Sequence, residues 1–68
     1  MIVDNKITQY NALLESRLIL GKEIEQISYV LLSIDLSTHT KNTLLKELED
    51  KTQQYNDLVN QIGNFKFE

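Results

Sequence analysis

Two stretches of the chain repeat apolar residues at the three- and four-residue spacing of an α-helix. In the first, positions 10, 13, 17, 20, 24, 27, 31 and 34 follow that spacing, and seven of these eight positions are apolar. The pattern is an a/d seam more than three heptads long, which is typical of a helix that packs lengthwise against another helix. It predicts helix 1 over about residues 5–35, with Asp4 or Asn5 as its N-terminal cap.

The second stretch has the same period. Positions 44, 48, 51, 55, 58, 62 and 65 follow it, and six of these seven are apolar. Leu45 and Val59 widen this stripe into a core-facing surface. We expect Glu47 and Lys51 to pair as i,i+4 neighbours. Gly63 is expected to end the helix in the left-handed conformation. The pattern therefore predicts helix 2 over about residues 39–63, followed by a short tail, 64–68, that docks or frays.

The link between the helices is rich in residues that favour caps and turns. Asp35, Ser37 and Thr38 each have a side chain that can bond to the backbone at a helix start. A turn at about 36–38 is short, so the helices should fold back antiparallel. One continuous helix is the competing prediction, because the link has no Gly or Pro. The predicted core seam of the hairpin comprises Tyr10, Leu13, Leu20, Ile24, Ile27, Leu31, Ile34, Leu44, Leu48, Tyr55, Leu58 and Ile62.

The apolar residues are divided unequally between the two halves. Residues 1–36 contain 19 of them and residues 37–68 contain nine. A helix that is apolar around most of its circumference is buried around most of it. We therefore expect an all-α hairpin that dimerises into a four-helix bundle or coiled-coil assembly with helix 1 central. A different protein as partner, or a monomer with an exposed patch, are the alternatives. The predicted interface comprises Ile7, Leu14, Arg17, Leu18, Gly21 and Leu32.

A glycine and two basic residues depart from the apolar pattern of the helices. Gly21 is costly inside a helix, and close approach of another backbone would compensate. Arg17 interrupts the first seam. Its guanidinium either anchors a carboxylate of a partner or extends towards an acidic residue of helix 2 while its stem packs. Lys51 interrupts the second seam, and the same extension is expected of it.

Composition excludes several classes of protein. The chain has 68 residues, no Cys and a net charge of −3, so it forms one domain without disulfides or thiolate metal sites. A nucleic-acid binder is usually basic, so we expect no nucleic-acid partner. The N-terminus does not resemble a signal peptide, and the most apolar window, 27–36, is shorter than the roughly 20 residues of a membrane span. We therefore expect no membrane partner, and a cytoplasmic location as the default.

Residues with catalytic or ligating potential are few. His39 lies between Asp35 and Thr40 beside Ser37, but neighbouring turn residues cannot form a catalytic relay by spacing alone. Glu47, Glu49 and Asp50 lack the spacing of a calcium loop. The two glycines, Gly21 and Gly63, are too far apart for a phosphate loop. The sequence therefore predicts no enzymatic activity, no cofactor, no metal and no small-molecule substrate.

The function expected from these features is protein binding. The chain is predicted to be a self-associating adaptor, co-chaperone or inhibitor that binds a larger protein through the apolar face of helix 1. A helix-turn-helix-like nucleic-acid regulator is one alternative, although the three lysines of helix 2 are outnumbered by its acidic residues and no third helix is predicted. A structural component of a coiled-coil assembly is the other.

Overall fold

The protein is an antiparallel hairpin of two helices. A computed structural model describes residues 5–33 and 35–67. Helix α1 spans Asn5–Leu31 and helix α2 spans Thr38–Gly63, and the described residues contain no β-strand. The all-α hairpin predicted from the sequence is therefore confirmed, and the single continuous helix is wrong. The molecule is elongated, with principal dimensions of 56 × 20 × 13 Å.

Three contacts fix how the helices are aligned. Tyr10 packs on Phe65 near one end of the hairpin. Closer to its middle, Gly21 lies beside Tyr55, and Glu23 forms an ion pair with Lys51. The two residue numbers in each pair add to about 75, as expected for antiparallel helices that advance at the same rise per residue. This register places Arg17 opposite Leu58 and Ile27 opposite Leu48.

The link begins earlier than the sequence pattern indicated. Helix α1 ends at Leu31 rather than near residue 35. The amides of Leu32 and Ser33 donate to the carbonyls three residues before them, which tightens the last turn. Asp35, one of the three predicted cap candidates, donates its backbone amide to the hydroxyl of Ser33 at 3.4 Å. Polar side chains of the link thus compete for the backbone groups that would have continued the helix. Asp4 and Ile34, named above, lie outside the described residues.

Of the three cap candidates, Ser37 occupies the N-cap of α2. Its backbone is extended, with φ −66° and ψ 157°, and its hydroxyl oxygen accepts from the Thr40 amide at 3.2 Å. The same hydroxyl donates to Oγ1 of Thr40 at 2.9 Å. Such a cap satisfies one of the backbone donors left unpaired in the first turn. The cap fixes where α2 begins, and α2 begins one residue earlier than predicted.

The end of α2 differs from the prediction for Gly63. No glycine among the described residues has a positive φ. Gly63 is still helical, and the cap residue is Asn64, with φ −100° and ψ 4°. The amide of Asn64 bonds to the Asn60 carbonyl at 3.0 Å, and that of Phe65 bonds to the Ile62 carbonyl at 3.3 Å. The predicted left-handed glycine is wrong, because right-handed backbone already satisfies these carbonyls.

The tail folds back over the start of α1. The rings of Phe65 and Phe67 lie 5.3 and 5.0 Å from the ring of Tyr10, and 5.1 Å from each other. These are favourable separations for tilted aromatic pairs. The ammonium group of Lys6 lies 5.7 Å from the Phe65 ring, within cation–π range. The tail therefore docks on the open end of the hairpin.

The interior of the hairpin is thin. The described residues of the core seam are half-buried, except Ile27, which is buried with 8% of its surface exposed. The accessible surface is 5616 Å², whereas a compact monomer of this mass exposes roughly 4,400 Å². The radius of gyration is 16.2 Å, against about 11 Å for a compact chain of this length. Two helices alone leave much apolar surface in contact with water.

Candidate protein-binding surface

Exposed apolar side chains are concentrated on α1. Among the described residues, nine large apolar side chains are exposed; five belong to α1, one follows it directly, two belong to α2 and one to the tail. Helix α2 presents its apolar residues mainly towards α1, whereas those of α1 are spread around its circumference. The exposed residues are Ile7, Leu18, Ile19, Tyr29, Val30, Leu32, Leu45, Val59 and Phe67.

Most of these residues share one side of the hairpin. At about 100° per residue, Ile7, Leu14, Leu18 and Tyr29 lie within about 60° of one another around α1. Leu18 lines the same groove as Tyr55, so this flank adjoins the Tyr55 side of α2. Leu45 and Val59 lie on that side of α2 by the same spacing. We call this surface the Leu18 face; it comprises Ile7, Leu14, Leu18, Gly21, Tyr29, Leu32, Leu45 and Val59.

A shallow groove of about 380 Å³ lies at the middle of the Leu18 face. It is lined by Arg17, Leu18, Gly21, Lys22, Glu25 and Tyr55. A methyl group at Gly21 would lie 3.6 Å from Cε2 of Tyr55, an ordinary van der Waals contact. Within one chain, Gly21 thus has the ring of Tyr55 beside it rather than another backbone.

The groove carries charges of both signs. Arg17 is half-buried and Glu25 is exposed. Within residues 5–33 and 35–67, neither forms an ion pair or a side-chain hydrogen bond. The expected extension of Arg17 to an acidic residue of helix 2 does not occur, because the register puts Leu58 opposite it. The guanidinium of Arg17 and the carboxylate of Glu25 can therefore bind groups outside the described residues.

The opposite side of the hairpin is more polar. There the ammonium group of Lys51 pairs with the carboxylate of Glu23 on α1. This hydrogen bond raises the pKa of Lys51 above its ordinary value, with a smaller contribution from the charges of Glu23 and Glu47 and partial opposition from burial. Lys51 extends to an acidic residue, as predicted for this position, but its ion pair is with Glu23 rather than with Glu47. Helical spacing identifies partners on the same helix and does not show those across the hairpin.

A second cleft lies where the tail meets the start of α1. Its volume is about 600 Å³, and its walls include Ala12, Leu13, Gln61 and Phe65. Lys6 and Lys66 also line it. The aromatic cluster closes this end of the hairpin, so the cleft belongs to the docking of the tail.

The residues with catalytic potential are placed as follows. The hydroxyl of Ser37 is occupied in capping α2. His39 is exposed in the first turn of α2, and its backbone carbonyl accepts from Thr43 Oγ1 at 3.0 Å. In the part of the chain that the structure describes, no three residues among His, Asp and Glu are arranged to hold a metal ion. Nor does a helix of that part have the length and apolar character needed to cross a bilayer.

Comparison with known proteins adds no relative. No protein-family model matches the chain, and neither curated proteins nor solved structures include a significant match. What the protein does must therefore be inferred from its own surface, and the Leu18 face is the feature with the clearest physical consequence.

Proposed function

We propose that this chain is a non-enzymatic protein–protein interaction module that binds a second copy of itself and a larger protein through the Leu18 face. The observation that carries the proposal is the exposure of that face in one hairpin. Leu18 is 60% exposed, Tyr29 is 68% exposed and Leu32 is 77% exposed. Leu18 and Tyr29 lie on one flank of α1, and Leu32 follows directly after that helix.

The energetic reason is the size of the apolar surface left in water. Burying one Leu or Ile contributes about 1.5–3 kcal/mol. A small domain has only about 5–15 kcal/mol of stability in total. Ile7, Leu18 and Leu32 are 51%, 60% and 77% exposed, so covering them would contribute part of that burial energy for each residue, a substantial share of the stability of a domain this small. Contiguous exposed apolar patches on soluble proteins commonly mark sites of interaction with other proteins.

The alternatives have weaker support. A helix-turn-helix motif crosses its two helices at about 90–120°, whereas α1 and α2 run antiparallel along their length. The long dimension of 56 Å favours, as a second candidate, a structural component of a coiled-coil assembly. That candidate uses the same Leu18 face and differs from the proposal only in its partner.

A photo-crosslinking amino acid tests the proposal directly. It is placed at Leu18 in one variant and at Gln26 in the other, because Gln26 is exposed on α1 and points about 140° away from Gly21. After irradiation in the native cells, we expect protein adducts from position 18 and few from position 26. Absence of adducts at position 18, or equal adducts at both positions, would overturn the proposal.

A further inference from the structure

We propose that a second copy of the chain covers the Leu18 face, with the two α1 helices antiparallel about a two-fold axis at Gly21 and Arg17 of each copy paired with Glu25 of the other. This inference rests on the proposed function and specifies how the two copies are aligned. A two-fold contact must be self-complementary: the surface that a residue meets is the surface to which it belongs.

The charges of the groove have that self-complementarity. Arg17 precedes Gly21 by four residues and Glu25 follows it by four, and all three line one groove. Within one helix they are about 12 Å apart along the axis, too far to pair with each other. A two-fold axis at Gly21 reverses the second helix, so Arg17 of each copy lies level with Glu25 of the other. Two ion pairs then form from charges that lack a partner within residues 5–33 and 35–67.

The helix geometry agrees with this arrangement. Around the axis of α1, Arg17 lies about 40° to one side of Gly21 and Glu25 about 40° to the other. The two charges therefore flank the line of contact and meet across it. Gly21, without a side chain, lies at the centre, where a small residue permits helix axes to approach to about 8 Å. The ring of Tyr55, whose Cε2 atom would lie 3.6 Å from a Cβ at Gly21, borders this contact.

In this alignment Leu14 and Ile7 lie within about 40° of Gly21 around α1, close to the line of contact. Leu14 lies level with Ser28 of the second copy. Ile7 lies level with the segment that follows helix α1 in the second copy. Leu18 lies beside the contact line, about 60° from Gly21. The broad side of the hairpin, 56 × 20 Å, offers at most about 1,100 Å² per copy. A stable interface needs about 800 Å² per partner, so one side of the hairpin is large enough.

A parallel pairing of the same helices is disfavoured by charge. It would place Arg17 beside Arg17 of the second copy and Glu25 beside Glu25. Like charges across an interface act against that association. The charge pattern of the groove thus selects the antiparallel alignment.

A charge-swap experiment tests the alignment. Dissociation constants of the dimer are measured by sedimentation for the wild type, Arg17→Glu, Glu25→Arg and the double variant Arg17→Glu/Glu25→Arg. Each single variant replaces two attractive pairs with two repulsive ones, so its dissociation constant should rise by about tenfold or more. The double variant restores two attractive pairs and should dimerise nearly as the wild type does. An equimolar mixture of the two single variants should form a heterodimer for the same reason.

The outcomes separate this inference from the proposed function. If Leu18→Glu abolishes dimerisation but the charge swaps are without effect, or the double variant fails to recover, the face binds a second copy and the Gly21-centred alignment is wrong. If the wild type is monomeric at all concentrations while position 18 still crosslinks to a larger protein, self-association is wrong and only the binding of the larger protein through the Leu18 face stands. Circular dichroism confirms that each variant remains helical.

Discussion

Helices α1 and α2 are nearly equal in length, at 27 and 26 residues, but they distribute their apolar side chains differently. Helix α2 has one apolar stripe and a wide polar surface, so α1 covers most of what it needs to bury, and only Leu45 and Val59 remain exposed among its large apolar residues. Helix α1 has the matching stripe and, in addition, exposed residues such as Leu18 and Ile19 on other sides. The apolar surface of α2 is thus covered mainly by one neighbouring helix, whereas that of α1 requires more than one.

This difference locates stability and binding on different parts of the molecule. The contact between α1 and α2 runs along the core seam and determines the hairpin. The Leu18 face lies to one side of that seam, and a change there should alter association more than the hairpin itself. A hairpin this thin is expected to have low stability, since only Ile27 among the described residues is buried, with 8% of its surface exposed. The variants that follow separate the two parts.

The largest effect is expected from truncation in the seam. Ile27→Ala should lower the free energy of unfolding by about 2–5 kcal/mol, because a buried Ile is replaced by a cavity. Ile19→Ala is the matched control: the same residue type on the same helix, 51% exposed, and expected to cost well under half as much. Urea denaturation at fixed chain concentration measures both. Equal losses from the two variants would refute the division of α1 into a seam and exposed sides.

A smaller loss is expected where α2 begins. Ser37→Ala removes the oxygen that accepts the Thr40 amide and should cost about 1 kcal/mol. Thr38→Ala, one residue on, leaves that bond intact and should cost less. Inserting Gly-Gly after Asp35 lengthens the link without touching the cap, and loop closure depends only weakly on length. A melting temperature that falls more for the insertion than for Ser37→Ala would contradict the hairpin.

An increase in the stability of the hairpin is expected from a substitution at Gly21. The contact of 3.6 Å with Tyr55 leaves room for a methyl group, and Ala exceeds Gly in helix propensity by about 0.8–1 kcal/mol. Gly21→Ala should therefore stabilise the hairpin by up to about that amount. The measurement is made in a Leu18→Glu background so that only the hairpin is probed. Gly63→Ala is the control; Gly63 lies in open space at the helix end, and this substitution should raise the free energy of unfolding by less. Destabilisation by Gly21→Ala would show that Tyr55 packs against residue 21 too tightly to admit a methyl group.

The smallest effect concerns the ion pair across the hairpin. The bond to Glu23 raises the pKa of Lys51 above its ordinary 10.5, so the folded state holds that proton more tightly than the unfolded state. The stabilisation of the folded state by this ion pair is fully present at pH values below the ordinary pKa of Lys51. It is lost as the pH rises through the raised pKa of Lys51 in the folded state. Unfolding midpoints of the wild type and Glu23→Gln should accordingly differ at neutral pH and converge in strong alkali. A constant difference across that range would contradict the pairing.

The helical period was sufficient to predict the hairpin. Apolar positions recur every three or four residues wherever the chain is helical, and the described seam residues, from Tyr10 to Ile62, are half-buried or buried. That information is local, so the sequence alone predicts it. The excess of apolar residues in the first half likewise predicted an exposed flank around Leu18.

Other features depend on contacts between distant residues. The partner of Lys51 is Glu23, 28 positions away, whereas spacing along one helix indicated Glu47. Helix α1 stops at Leu31 although its apolar pattern continues, because polar side chains such as Ser33 compete for the backbone. The docking of Phe67 on Tyr10 follows from the antiparallel register, which no short stretch of sequence specifies.

The mass of the protein in solution tests most directly whether α1 has a second neighbour. Sedimentation equilibrium over micromolar to millimolar concentrations should give about twice 7.9 kDa for the wild type and for Gln26→Glu. Leu18→Glu should give 7.9 kDa with its helical circular dichroism retained, because the added charge lies in the contact and outside the core seam. A folded wild-type monomer at the highest concentration, or a Leu18→Glu variant that associates as the wild type does, would contradict the assignment of the Leu18 face.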